Sequence, residues 1–168
     1  MPELDRVLQE LGNGQARQPF REVPEVKDVY YAVWVGETGA AELSAASPEP
    51  IRAGIVYVGE CVTQTVRRHL AHRQIGSLTL MKNLAAVFRT QWRLTATNRG
   101  AKLNEPGLSL LREWMSEHLT ATVAARHPDV VTKDVLSALD PPLRIEGWLP
   151  QRGPLKVFLT EQRAELSR

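Results

Sequence analysis

The chain has 168 residues, of which 43% are hydrophobic and 24% are charged, values typical of a globular protein. This length builds one sizeable core, so we expect a single domain over residues 1–168. The composition excludes a membrane-spanning helix, because no apolar run approaches the roughly 18 residues required. It also excludes an internal disulfide or a multi-cysteine zinc site, because the sequence has one cysteine, Cys61.

The N-terminal residues predict a short amphipathic helix over 3–11, because Leu4, Val7, Leu8 and Leu11 recur at helical spacing. Acidic residues in this segment are atypical of a signal peptide, which begins with positive charge. We therefore expect a cytoplasmic protein without a membrane partner. The polar, proline-containing segment 15–27 that follows is typical of a loop.

Two short segments predict neighbouring strands. Residues 28–36, DVYYAVWVG, are rich in β-branched and aromatic side chains, and residues 55–59, IVYVG, form a second such run. We expect the two strands to pair antiparallel. The segment between them, 38–53, contains Gly, Ser, Ala and Pro and predicts a flexible connection.

The rest of the chain predicts helices around one more strand. Thr63 is a suitable N-cap for a helix over 64–73. The remaining segments are helices over 78–89, 108–120, 134–139 and 154–166, and a strand over 91–97. The predicted fold class is therefore α+β, a small antiparallel or mixed three-stranded sheet flanked by helices, with its core over about residues 28–145.

Positive charge is concentrated in one part of the chain, residues 61–104, which we call the basic stretch. It contains no Asp or Glu but eight Lys and Arg residues, whereas the whole chain carries a net charge of only +2. Such segregation builds a local positive field, which favours a polyanionic partner. The alternative is a solvated helix face that happens to be basic.

Tyrosines on the two predicted strands indicate a candidate site. Alternation places Tyr31 on the face of Val29, Val33 and Val35, and Tyr57 on the face of Ile55 and Gly59. If the strands pair, the two phenols lie side by side, and Gly59 permits a sharp turn or a close backbone approach.

The helix after the second strand then brings Arg68 and His72 towards the same surface. Two phenols, a guanidinium and an imidazole can orient a water molecule and balance the charge of a phosphate. The alternative for each residue is ordinary: strand tyrosines line cores, and helix arginines are usually solvated.

This arrangement resembles the GIY-YIG nuclease family. VYYAVWV (29–35) is similar to the first motif of that family, with Tyr31 at its tyrosine, and IVYVG (55–59) is similar to the second. LTLMKNLAAVF (78–88), LLREWMSEHL (110–119) and LDPPL (139–143) are similar to patterns in a bacterial branch of the family. The resemblance spans about residues 28–145.

The resemblance implies a metal-dependent endonuclease that hydrolyses nucleic-acid phosphodiesters, with Mg²⁺ or Mn²⁺ as cofactor and DNA as the expected partner. Tyr31, Tyr57, Arg68 and His72 are the implied catalytic residues. A register slip of one residue puts Arg67 or His69 in the place of Arg68. The expected nucleic-acid-binding residues are Gly59, Arg67, Arg73, Lys82, Arg89 and Arg93.

The sequence departs from the family pattern at three positions. Val29 stands where the first motif has glycine, Leu108 stands where the metal-binding glutamate is expected, and Arg144 stands where an asparagine follows the Pro-Pro-Leu. Leucine cannot bind a hard cation, which takes oxygen ligands. Glu105, one turn before Leu108, is the candidate replacement ligand.

Further residues have two interpretations each. Glu60 either supplies a metal ligand or pairs with an arginine, and Glu113 and Glu117 either bind metal or lie on the surface. Cys61 is either a thiol activated by the basic helix or a plain buried cysteine, and Trp92 is the best candidate for stacking on a base.

The departures keep two alternatives to an active nuclease open. One is a catalytically degenerate GIY-YIG domain that binds nucleic acid without cutting it. The other is the same fold reused for small-molecule chemistry or for protein contact.

Overall fold

A computed structural model describes residues 1–70, 79–97, 100–144 and 153–167. In chain order, the described residues of the first half form α1 (Pro2–Leu11), β1 (Gln18–Pro19), β2 (Val29–Val35), α2 (Glu37–Ala46), β3 (Gly54–Cys61), α3 (Val66–Leu70) and α4 (Thr79–Phe88). Those of the second half form β4 (Ala96–Thr97), β5 (Gly100–Leu103), α5 (Glu105–His118), β6 (Leu119–Ala125), α6 (Thr132–Leu139) and α7 (Gly153–Leu166). Two single-turn 3-10 helices, Gly14–Ala16 and Phe20–Glu22, flank β1.

The main sheet has four antiparallel strands in the order β1-β6-β2-β3, so the α+β class is confirmed and the predicted count of three strands is wrong. The predicted pairing of the two tyrosine-bearing strands is confirmed, because Val29 to Val35 of β2 lie opposite Cys61 to Gly54 of β3. β2 is flanked by β3 and β6 and is the most enclosed strand.

The predicted strand over 91–97 does not join this sheet. The chain turns after α4, with Arg93 in the left-handed region at φ 52°, and only Ala96–Thr97 pairs, as a small hairpin with β5. The strand beside β2 is β6, Leu119–Ala125, which begins where the amphipathic pattern of α5 ends. Alanine and threonine alternate there, and alanine has little intrinsic preference for strands.

The segment 38–53, predicted as a flexible connection, contains a helix. α2 covers Glu37–Ala46, and its buried residues Gly39, Ala40 and Leu43 contact the core. Alanine has the highest helix propensity, and five of the ten residues of α2 are alanine or leucine. The prolines that suggested a loop, Pro48 and Pro50, follow the end of the helix.

The other predicted helices are found with shifted ends, at α1, α3, α4, α5, α6 and α7. Residues 71–73 of the predicted 64–73 helix lie outside the described residues. No helix in the described part of the chain combines the length and the apolar composition that crossing a bilayer requires.

Two hydrophobic clusters lie on opposite faces of the main sheet. α1 and α6 cover one face, where Tyr30, Ala32 and Val58 are buried. α2 to α5 and α7 cover the other face, where Tyr31, Val33 and Tyr57 are buried. Successive residues of β2 alternate between the two clusters, as strand geometry requires.

A β-bulge in β3 corrects one detail of the predicted faces. Val33 lies opposite Tyr57 but Trp34 lies opposite Ile55, so Val56 is the extra residue. Ile55 therefore packs with the α1 side of the sheet and not on the face of Tyr57.

Candidate functional site

The two strand tyrosines lie together on one face of the sheet, as predicted. Tyr31 is opposite Gly59 and Tyr57 is opposite Val33, so the phenols are diagonal neighbours, with ring centroids 6.1 Å apart. Both side chains are buried, with 0% and 2% of their surface exposed. The pair is thus part of the core as well as a candidate site.

Gly59 is required by the close approach of Tyr31. A Cβ atom at residue 59 would collide with the hydroxyl and the ring of Tyr31. Gly59 lies within β3 and not at a turn, so of its two predicted roles the close backbone approach applies.

His69, and not Arg68, reaches the tyrosines from α3. The His69 ring meets the Tyr31 ring edge-on, with centroids 5.6 Å apart. Arg68 is exposed, and among the described residues no hydrogen bond or cation–π contact joins its side chain to either phenol. This geometry corresponds to the alternative register, in which His69 takes the place predicted for Arg68.

The guanidinium beside the phenols comes from Arg144. Its Nη1 donates to Tyr57 Oη at 2.9 Å and to the Val58 carbonyl at 3.1 Å, and its Cζ lies 5.4 Å from the Tyr57 ring centroid. We call Tyr31, Tyr57, His69 and Arg144 the tyrosine cluster. It contains both predicted tyrosines and two residues that the main prediction did not choose.

Arg144 is held in position by hydrogen bonds of the preceding residue. The backbone N–H of Leu143 donates to the Val56 carbonyl at 2.8 Å, and the Leu143 carbonyl accepts from Asn83 Nδ2 at 2.5 Å. Asn83 is fully buried on α4. The Pro-Pro-Leu segment is therefore fixed between β3 and α4, and this places residue 144 at Tyr57.

The environment of Tyr31 keeps its phenol neutral. Burial is the main cause that raises the pKa of Tyr31 well above its usual value, and the neighbouring Tyr57 raises it further, against a smaller opposing effect of Arg144. A phenol in this state acts as a hydrogen-bond donor or a packing group, and it is poorly suited to remove a proton from water.

The predicted metal ligands do not meet at the tyrosine cluster. Leu108 is buried in the core, and Glu105 is exposed at the first position of α5. Glu113 and Glu117 are also exposed on that helix. Among the described residues no three His, Cys, Asp or Glu side chains are grouped so that they could hold a metal ion.

Glu60 pairs with an arginine, the second of its two predicted roles. It lies opposite Tyr30, on the other face of the sheet from the cluster, and its Oε2 is 3.4 Å from Arg126 Nε and accepts a hydrogen bond from Thr132 at 3.0 Å. The side chains that the structure describes around the tyrosine cluster do not fit a Mg²⁺ or Mn²⁺ site, which requires several converging oxygen ligands.

The predicted nucleic-acid-binding cations differ in how they are engaged. Arg67 donates to the Val23 carbonyl at 2.8 Å and pairs with Glu25 at 3.3 Å, and Arg89 donates to the neutral Gln162 at 2.7 Å. Lys82 on α4 is half-buried and Arg93 after it is exposed. His72 and Arg73 lie outside the described residues.

Two further candidates are engaged within the core. Trp92 stacks on Phe88, with ring centroids 3.9 Å apart and planes 7° from parallel, so one face of the indole is covered. Cys61 is buried, and burial with the nearby Glu60 charge raises the pKa of its thiol to about 11. The thiol is thus not activated by the basic helix.

The residue that the main prediction missed, Arg144, left one signal in the sequence. It directly follows the Leu-Asp-Pro-Pro-Leu motif, at the position where the family resemblance implies asparagine. Because the resemblance assigns this position to the site, an arginine here indicates that its guanidinium enters the site.

No family model, curated protein or solved structure matches this chain. The resemblance to the GIY-YIG nucleases therefore stays a prediction from the sequence motifs.

Proposed function

We propose that this protein binds nucleic acid through the cations of the basic stretch and does not cleave it by a metal-dependent reaction. The observation that carries this proposal is that most of those cations are not neutralised by an ion pair. Of the five whose side chains the structure describes, Arg68, Lys82, Arg89 and Arg93 form no ion pair with a described acid.

Neutralisation of these cations by acidic residues of the same chain would have indicated a different function. If the positive stretch served only to balance the acidic remainder of the chain, its arginines and lysines would pair with Asp and Glu, as Arg67 does with Glu25. Unneutralised cations instead attract phosphates, because each contact releases condensed counterions from the nucleic acid. Non-specific contacts of this kind position a strand without reading its sequence.

The tyrosine cluster supports binding more than cleavage. Its phenols are buried, the Tyr31 hydroxyl stays protonated, and the family's glutamate position is the core residue Leu108. Each property is unfavourable for activating a water molecule beside a metal ion. The cluster then serves to hold Arg144 at Tyr57 and α3, through His69, at Tyr31.

An active endonuclease is the second candidate, and the Arg144–Tyr57 contact favours it. A guanidinium 2.9 Å from a phenol, with the imidazole of His69 next to the second phenol, is an arrangement that can stabilise charge on a phosphate. In that case Tyr57 and Arg144 act on the substrate and a divalent ion enters with it.

Binding is tested by fluorescence anisotropy with labelled duplex DNA, single-stranded DNA and single-stranded RNA over a series of salt concentrations. We expect Arg68→Ala, Lys82→Ala and Arg93→Ala each to weaken binding and to lower the slope of log K against log salt by about 1. The matched control is Arg52→Ala, an exposed arginine outside the basic stretch, which should leave the slope unchanged. A slope equal in all four variants contradicts the proposal.

Cleavage is tested on plasmid and branched DNA with Mg²⁺ or Mn²⁺. We expect no cutting above the level seen with EDTA. Metal-dependent cutting that is lost in both Tyr57→Phe and Arg144→Gln would instead establish the second candidate, with Glu105→Ala as a test of the replacement ligand.

A further inference from the structure

A cavity of about 340 Å³ lies apart from the tyrosine cluster. It is open to solvent on one side and is lined by the 3-10 helix Phe20–Glu22, the end of α3, the start of α4 and the last turns of α5. Its volume falls within the range of roughly 300–1,000 Å³ that small-molecule sites occupy.

The walls of the cavity are mainly apolar. They are formed by Pro19, Phe20, Leu70, Met81 and Met115. Leu70, Met81 and Met115 belong to the core and are almost fully buried, so this part of the cavity is pre-formed. Methionine side chains adapt to varied apolar shapes, and two of the three methionines in the chain are here.

Two of the three polar side chains that line the cavity carry positive charge. Arg21 and Arg112 line it together with the neutral Ser116, and no described acidic residue does. Arg21 Nε is 3.7 Å from Glu22 Oε1, but both side chains are largely exposed, and such pairs are weak in water. Arg112 is half-buried on α5.

We propose that this cavity binds a small carboxylate with an apolar body, such as a medium-chain fatty acid. The apolar body is removed from water against the methionines, Leu70 and Phe20. The carboxylate lies at the arginines, whose planar guanidinium groups match its geometry with two parallel hydrogen bonds. A nucleobase fits less well, because its polar edge would be left largely without partners.

The two cavity methionines provide a direct measurement. In protein with ¹³C-labelled methionine methyl groups, decanoate should shift the Met81 and Met115 signals, and the exposed Met1 should serve as the internal control. Decanol and decylammonium have the same chain with a neutral and a positive head, and we expect both to bind at least tenfold more weakly. Acetate, which has the head alone, should produce no shift.

Two variants test the two parts of the site. Arg21→Gln, at an exposed position that does not endanger folding, should weaken decanoate binding about tenfold, the usual loss for one charged hydrogen bond. Ser116→Trp, at an exposed position on the cavity wall, should fill the cavity and abolish the shifts at Met81. Arg52→Gln is the control for removal of one positive charge.

The proposal is overturned if decanoate leaves both cavity methionines unshifted, or if decanol and decylammonium bind as well as decanoate. It is also overturned if Ser116→Trp leaves the shifts unchanged. Because the readout is the methionine signals and not nucleic-acid binding, its outcome is independent of the function proposed above.

Discussion

At the scale of single residues, the absence of a side chain at Gly59 determines where the Tyr31 ring can lie on the core face of the sheet. The glycine leaves the space that the phenol occupies, and the phenol in turn meets Tyr57 and His69. A single missing Cβ atom thus allows three aromatic rings to share one small volume.

Gly59→Ala should lower the free energy of unfolding by about 1–3 kcal/mol, because the added methyl group meets the Tyr31 ring and overpacks the core. Urea denaturation measures the loss. Gly153→Ala is the control, because a Cβ atom there meets no atom within 4 Å. Adding Tyr31→Phe removes the nearest colliding atom, so the two substitutions should be less than additive. Equal losses for Gly59→Ala and Gly153→Ala would contradict the steric argument.

Cys61 should react very slowly with a disulfide reagent such as DTNB at about pH 8 and rapidly once urea unfolds the chain. The thiol is buried and its raised pKa, about 11, leaves almost no thiolate. Since the folded pKa lies above the unfolded value, the stability that this shift contributes is present below the unfolded pKa. It is lost as the pH rises towards about 11. Rapid reaction in the native state would show that the thiol is accessible.

At the scale of elements, α4 does more than cover the sheet. Its buried Asn83 binds the Leu143 carbonyl, and this single side chain connects the helix to the segment that carries Arg144. The position of Arg144 beside Tyr57 therefore depends on a residue of a different element.

Asn83→Ala should lower the free energy of unfolding by about 1–3 kcal/mol, because the Leu143 carbonyl loses its buried partner. Gln9→Ala, which removes an exposed amide on α1, is the control and should cost below about 0.5 kcal/mol. If Asn83 positions Arg144, then Asn83→Ala and Arg144→Gln should also be coupled in a double-mutant cycle. Additive effects would limit Asn83 to a local structural role.

At the scale of the whole molecule, the main sheet separates two hydrophobic clusters that share the strand β2. Residues of β2 alternate between the two sides, so loss of one cluster removes the support of the other. We therefore expect one cooperative unit.

Leu11→Ala and Leu84→Ala test this cooperativity from opposite faces. Both leucines are fully buried, one in each cluster, and each substitution should cost about 2–5 kcal/mol. In both variants the urea transitions followed by circular dichroism and by tryptophan fluorescence should coincide. Two separated transitions in either variant would show that the layers unfold independently.

Features set by compact local sequence patterns could be predicted, whereas a contact between residues far apart in the chain could not. β2 and β3 were predicted because their β-branched and aromatic residues form compact runs, and the tyrosine pair followed from alternation along them. α2 was missed because Gly39, Ser44 and the prolines that follow the helix suggested a loop, and β6 because its alanines suggest no strand. Arg144 was missed as a site residue because its contact with Tyr57 joins positions 87 residues apart.

β3 lies at the margin of the main sheet, where unsatisfied carbonyl groups would invite a strand from another molecule. The backbone N–H of Leu143 and Nη1 of Arg144 donate hydrogen bonds to the carbonyl groups of Val56 and Val58 along this edge. The guanidinium that touches Tyr57 therefore also discourages self-association through added strands. Substitution of Arg144 should consequently increase aggregation at high protein concentration, in addition to any change in affinity for a ligand.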